Sequence, residues 1–283
     1  MSSVEIQSLR GDLLSAAADS SELAYPVFGV RTRCPLGKCI ADRALAAILL
    51  IPALPVIGLL ALLVFVTSGR PVIFRQPRVG KNGRTFTLYK IRTMVRNAEA
   101  KTGPVWAKAK DGRVTRLGSI LRKLHLDELP QLFNVLKGDM SLVGPRPERP
   151  EFVHVLSSSI PEYLKRLEVP PGITGIAQLN LPPDSDLDSV RRKLVLDLEY
   201  AERMGPLMDS RLLLCTCARL FKLPAIRLFG LYRNPDLEGN GSGNGNGLGN
   251  DDGSGNGNGA ADGNGSHHSR TPQPQAAPRP KPR

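Results

Sequence analysis

A helix-rich α+β body joined to an N-terminal re-entrant, broken helix hairpin is the architecture this sequence predicts, on three observations. An uncharged apolar run, Ala44–Val66, is interrupted at its centre by prolines. Two β-like stretches flank an Asn82-Gly83 turn. From residue 113 onward, apolar positions recur mainly at helical spacing. These features divide the chain into a lead-in (residues 1–33), a membrane hairpin (34–69), a globular body (70–233) and a Gly/Asn/Pro-rich tail (234–283).

The lead-in reads as a short amphipathic or irregular segment. The run that follows, ALAAILLIPALPVIGLLALLVFV, has about 23 residues and would reach about 35 Å as a straight helix, enough to cross a bilayer. A single transmembrane helix is therefore one reading. Pro52, Pro55 and Gly58 argue against it, because each proline removes a backbone donor and crowds the preceding turn. The flanks argue against it too. Arg31, Arg33, Lys38 and Arg43 precede the run, and Arg70, Arg75, Arg78, Lys81 and Arg84 follow it. Basic flanks favour the cytoplasm, so a hairpin broken at Pro52 and Pro55, with arms of about 10 residues, satisfies both ends.

In the body, Val72–Phe74 and Thr85–Tyr89 are expected as strands around VGKNGR. Residues 113–124 are expected as a helix with Leu117, Ile120, Leu121 and Leu124 on one face. Residues 128–136 are expected as a second helix ended by Lys137-Gly138, with Asp127 at its exposed start. Gly144-Pro145-Arg146-Pro147-Glu148 and Pro170-Pro171-Gly172 are stiff loops. Residues 187–204 form a charged helix, while 210–221 and 223–232 are amphipathic helices that suit either a membrane surface or the body. The tail has almost nothing to bury, which predicts disorder; His267 and His268 lie in it as solvated residues.

The formal net charge is +12. Residues 1–33 carry three Lys/Arg against four acids and residues 234–283 four against five, so the part between keeps about +14. Such a body suits phosphate-bearing partners, including anionic membrane lipids. Nucleic acid is the weaker partner, since aromatics are 5% of the chain and no finger or RRM signature is present. Cys34, Cys39, Cys215 and Cys217 are spaced C-x4-C and C-x-C without a nearby His, which fits reduced packing thiols better than zinc.

Asp127 and Glu128 are the candidate catalytic pair. A helix N-terminus favours a carboxylate and an incoming phosphate alike. The ordinary alternative is that Asp127 is an N-cap and Glu128 a first-turn acid. Arg146, fixed between prolines, can grip phosphate oxygens through two donors, or can simply be an exposed turn residue.

GKCIADRALAAILLIPALPVIG, PVIFRQPRVGKNGRTFTLYKIRTM, LDELPQLFNVLKGDMSLVGPRPE and PPGITGIAQLN occur in this order, and over residues 34–222 the chain resembles the bacterial sugar transferases. More specifically, it resembles the small monotopic polyprenyl-phosphate phosphoglycosyl transferases. The resemblance implies a membrane enzyme that moves a sugar-1-phosphate from a UDP-sugar to polyprenyl phosphate and releases UMP. Asp127 would be the nucleophile that forms an aspartyl phosphosugar, and Glu128 its partner in holding Mg²⁺. Arg122 matches a family phosphate-binding arginine; Lys90, Arg92 and Arg146 are further candidates for the diphosphate and nucleotide. A bacterial inner membrane location, with the catalytic domain on the cytoplasmic face, goes with this. In the family the hairpin breaks at Ser-Pro; here Leu54-Pro55 keeps only the proline, and Pro52 adds a second break. His125 replaces a small hydroxyl residue often found there.

A non-catalytic scaffold for polysaccharide assembly is the competing reading, and a membrane-tethered nucleic-acid binder is a weaker one based on charge alone. The sugar, the pathway and a homodimer through the membrane-proximal helices stay open.

Overall fold

The computed structural model describes residues 34–100, 111–184 and 186–220. The lead-in, the stretch 223–232 and the tail lie outside these residues. Helix-rich α+β is what the described chain forms: seven α-helices, named α1–α7 below, with three 3₁₀ turns and four short strands.

The first element, α1 (Leu36–Ser68), is one uninterrupted helix of 33 residues containing Pro52 and Pro55. This corrects the expected pair of separate arms. Each proline deletes a single i→i−4 bond, and the bonds on either side, together with packing against the body, carry the helix through. One face of α1 packs inward. Ala46, Leu50 and Ala53 join a core with Leu132, Val135, Met140 and Leu142, while Leu60 and Val64 meet Ile91 and Leu121. Both ends are tied down by polar contacts. Lys38 Nζ lies 2.7 Å from Asp209 Oδ2 and Ser141 Oγ donates to Asp42 at 2.5 Å; at the far end, Arg92 Nη2 donates to the carbonyls of Ser68 and Gly69 at 2.5 and 2.8 Å. The outer face is bare: Ile48, Ile51, Leu54, Leu59, Leu62 and Val66 are each more than half exposed. By length and composition α1 can cross a membrane.

Strands β1 (Ile73–Val79) and β2 (Thr85–Ile91) pair antiparallel, Val79 opposite Thr85 and Ile73 opposite Ile91. Asn82 and Gly83 both take positive φ (56° and 73°), the conformation that the Asn-Gly pair supplies at little cost. Helix α2 (Arg116–Lys123) begins at Thr115, whose side chain accepts the Gly118 amide at 2.9 Å. It starts later than the expected 113 because residues 113–115 hydrogen-bond outward, Thr115 N to Thr93 O among them.

After α2 the chain reverses at His125 (φ 55°), makes a 3₁₀ turn over Leu126–Glu128, and enters α3 (Gln131–Lys137) with Pro130 in the N-cap position. Asp127 is therefore neither the cap nor the exposed start of that helix: it is 6% exposed and lies before it. Asn134 of α3 is fully buried and ties the helix to β2, donating to Thr87 O and accepting from Tyr89 N.

Strand β3 (Ser141–Val143) then pairs in parallel with β4 (Gly172–Thr174), the crossover running through α4 (Pro150–Ser159) and a 3₁₀ turn at Tyr163–Glu168. The seam between them is backbone on backbone. A Cβ on Gly144 would lie 2.3 Å from Pro170 O, and one on Gly172 would lie 2.1 Å from Gly144 N. Only glycine fits such an approach. The last helices are α5 (Ile176–Asn180), α6 (Leu187–Arg203) and α7 (Pro206–Leu220). An Asp186–Ser189 capping box starts α6. Helix α7 turns Leu212, Cys215 and Ala218 inward and leaves Leu207 and Leu214 exposed; Cys217 is exposed rather than packed, and the described cysteines are all free thiols.

Candidate active site

Four pieces of chain bring the site together: β2 supplies Lys90, α2 supplies Arg122, the 3₁₀ turn supplies Asp127 and Glu128, and the loop after β3 supplies Arg146. Glu128 is the hub. Its Oε1 receives Lys90 Nζ at 2.7 Å and Arg146 Nη2 at 2.8 Å. Burial alone would raise the Glu128 pKa, but Arg146 and Lys90 outweigh it and hold the carboxyl well below the usual range. In return, the nearby carboxylate pulls the Arg146 pKa upward. Lys90 is pushed down by burial despite Glu128.

Asp127, one residue earlier, is treated differently. Among the described residues, no side chain hydrogen-bonds to its carboxylate or forms an ion pair with it. Burial raises its pKa; Lys90 acts against that, the Glu128 charge adds to it, and Arg122 acts against it again. A shielded carboxylate without a side-chain partner keeps lone pairs available to an incoming electrophile.

Arg122 is oriented by Thr93, its Nε donating to Thr93 Oγ1 at 2.8 Å, and its charge is felt at Asp127. Thus Lys90, Arg122, Asp127, Glu128 and Arg146 lie within contact or electrostatic reach of one another. Arg92 is placed elsewhere: it is 7% exposed, and its Nη2 closes the C-terminal end of α1. Pro52 and Pro55 lie within α1.

Three residues that sequence reasoning passed over support this group. Thr93 aims Arg122. Arg78 and Arg166 each donate to a carbonyl of the Arg146 loop, at Pro147 and Arg146 respectively. Arg166 sits in the charged stretch YLKRLE, where nothing distinguishes it from its neighbours; only its partners reveal it.

Among the described residues no cluster of three or more His, Cys, Asp or Glu forms a ready-made metal cage. A carboxylate pair can still serve a hard cation that keeps waters and takes substrate phosphate oxygens. Asp127 is unpaired, and both cations on Glu128 converge on Oε1, so neither of those contacts uses Oε2.

The carboxylate pair framed by Lys90, Arg122 and Arg146 belongs to a chain whose first helix is long and apolar enough to cross a membrane. The profile of the bacterial sugar transferase family matches residues 34–223, and the chain belongs to that family. It is 46% identical over 166 residues to a UDP-N-acetylgalactosamine-undecaprenyl-phosphate N-acetylgalactosaminephosphotransferase of Aeromonas hydrophila, covering 58% of this chain and 39% of that protein. It is 39% identical over 194 residues to a UDP-glucose:undecaprenyl-phosphate glucose-1-phosphate transferase of Caulobacter vibrioides, covering 67% of this chain and 72% of the relative. A protein of the same name from Escherichia coli is 37% identical over 200 residues, with 69% and 42% covered. The chain thus spans well under half the length of the Aeromonas and Escherichia relatives.

Proposed function

We propose that the chain transfers a sugar-1-phosphate from a UDP-sugar to polyprenyl (undecaprenyl) phosphate and releases UMP, as the first membrane step of an exopolysaccharide or glycoconjugate pathway. The observation that carries this reading is the division of labour between adjacent carboxylates: Glu128 held by two cations, Asp127 shielded and unpaired. The names of the relatives supply the donor and acceptor classes; two different sugars occur among them, so the sugar here stays open.

In the first half-reaction an Asp127 oxygen attacks the β-phosphorus. The bond from that phosphorus to the bridging oxygen breaks, UMP leaves with the electron pair, and an aspartyl phosphosugar remains. In the second, a phosphate oxygen of the polyprenyl carrier attacks the same phosphorus, and the Asp127 carboxylate departs. Arg122 and Arg146 bind and orient phosphoryl oxygens, while Lys90 and Arg146 fix Glu128 so that the pair keeps its geometry. Mg²⁺ fits a carboxylate donor set of this kind: Asp127 and Glu128 would hold it, and it would neutralise phosphate charge.

The bare face of α1 is the membrane anchor in this proposal. Because both ends of α1 bond to the same body, a helix lying in one leaflet, with both basic flanks on the cytoplasmic face of a bacterial inner membrane, is the geometry we favour over a full crossing.

The test is UMP release from a panel of UDP-sugars by detergent-solubilised protein with undecaprenyl phosphate and Mg²⁺, run beside Asp127→Asn. Release that disappears in the variant is expected. Equal release from parent and variant would remove Asp127 from the role of nucleophile.

A further inference from the structure

The loop that carries Arg146 is held by its backbone to an unusual degree. Four consecutive carbonyls are each taken by a different donor. Pro145 O accepts from Gly172 N and Glu148 O from Val79 N, both at 2.9 Å. Between them, Arg146 O accepts from Arg166 Nη2 at 2.9 Å and Pro147 O from Arg78 Nη1 at 2.9 Å. Two of the four donors are therefore arginine side chains reaching in from other elements.

Arg166 is itself locked. Its Nε and Nη2 both donate to Asp197 Oδ2 of α6, at 3.0 and 2.7 Å, and its Nη1 donates to Tyr163 Oη at 2.9 Å. The side chains of the pair are only 6% and 5% exposed. A buried ion pair of this kind is a poor source of stability, because desolvation offsets most of the attraction and apolar residues of similar volume do as well. What apolar residues could not do is donate to the Arg146 carbonyl. The residue so gripped is the one whose guanidinium meets Glu128 at 2.8 Å.

We infer that Arg166, held by Asp197 and Tyr163, is a positioning residue that sets where Arg146 points, and so governs phosphate binding from outside the site. It touches neither carboxylate of the pair; its effect passes through the backbone of residue 146. Releasing that carbonyl lets the loop shift, and a displacement of about 1 Å at a positioning group costs on the order of 100-fold in rate.

The inference rests on the transferase reading for its kinetic arm. The experiment compares UMP-release kinetics of the full chain with an Arg166→Met/Asp197→Leu double variant, which removes the donor without leaving a lone buried charge. Both are also made in an Arg146→Ala background, with thermal stability measured throughout. A fall of about 10- to 100-fold in kcat/KM is expected in the parent background. In the Arg146→Ala background it should shrink to within about threefold, because the two residues act as one unit. Equal falls in both backgrounds would assign Arg166 a general structural role and overturn the inference, as would a folded double variant with parental kinetics. If the double variant does not fold, Arg166→Lys carries the same comparison, since an ammonium can keep Asp197 but cannot serve all three partners. If the parent shows no turnover, the transferase reading fails by itself. Amide exchange at Arg146 and Glu148 then decides the inference: faster exchange in the Arg166 variants supports it, and unchanged exchange overturns it.

Discussion

The two halves of the site handle negative charge in opposite ways. On the Glu128 side, Lys90 and Arg146 close on one carboxylate oxygen, and Arg146 is braced through its own backbone. On the Asp127 side, burial is as great but fixed side-chain partners are missing among the described residues, and Arg122 spends its Nε on Thr93. Compensated charge gives a half held in place; the other half keeps a carboxylate that no side chain ties down. The lesson is that a carboxylate pair becomes asymmetric through its neighbours alone, with no difference in its own chemistry.

The largest expected effect is on turnover. Asp127→Asn should lower UMP release at least about 1,000-fold, the scale seen when a nucleophile acting in a concerted group is removed. Its melting temperature should equal or exceed that of the parent, since the change removes a carboxylate that burial disfavours. A large loss of stability would contradict the picture of an unpaired Asp127. Next comes Glu128→Gln, which leaves Lys90 and Arg146 facing a neutral amide. UMP release should fall about 100-fold. Denaturant unfolding should show a loss of about 1–2 kcal/mol, modest because Arg146 is 39% exposed and screened by solvent.

The same contrast has a pH signature. Asp127 has its folded pKa raised above 3.8, so its ionisation penalises the native state as pH rises through and beyond that value. The stability gained by Asp127→Asn should therefore grow with increasing pH. Glu128 has its folded pKa depressed below 4.5, so its contribution is present above 4.5 and lost as pH falls toward the folded value. The deficit of Glu128→Gln should accordingly close in acid. Melting curves of both variants across this range test the pair, and parallel behaviour would dissolve the comparison. The smallest effect is expected far away: cutting the chain after Tyr232 should change UMP release by less than about twofold, as composition there offers nothing to pack.

Much of the fold was legible because local chemistry decided it. Asn82-Gly83 demanded a hairpin and formed one. Apolar spacing located α2, although the Thr115 cap moved its start from 113 to 116. Gly138 stopped α3 where expected, in the left-handed conformation. Asp127 was expected at the exposed start of a helix and lies before it instead, because Pro130 takes the N-cap position and the preceding residues tighten into a 3₁₀ turn. In α1, two prolines suggested a break, and packing along the body kept one helix instead. The supporting arginines were illegible for a different reason. Arg78 and Arg166 owe their importance to carbonyls 69 and 20 positions away, contacts that leave no periodic trace.

The Gly144–Gly172 seam sets a limit on redesign. Even a methyl group on residue 144 would press on Pro170 O and force β3 from β4, carrying the neighbouring Arg146 with it. A library built to retarget the sugar would waste every variant at 144 or 172, since such clones would score as dead whatever pocket they encoded. Diversity belongs on surfaces that can vary while this backbone contact stays fixed.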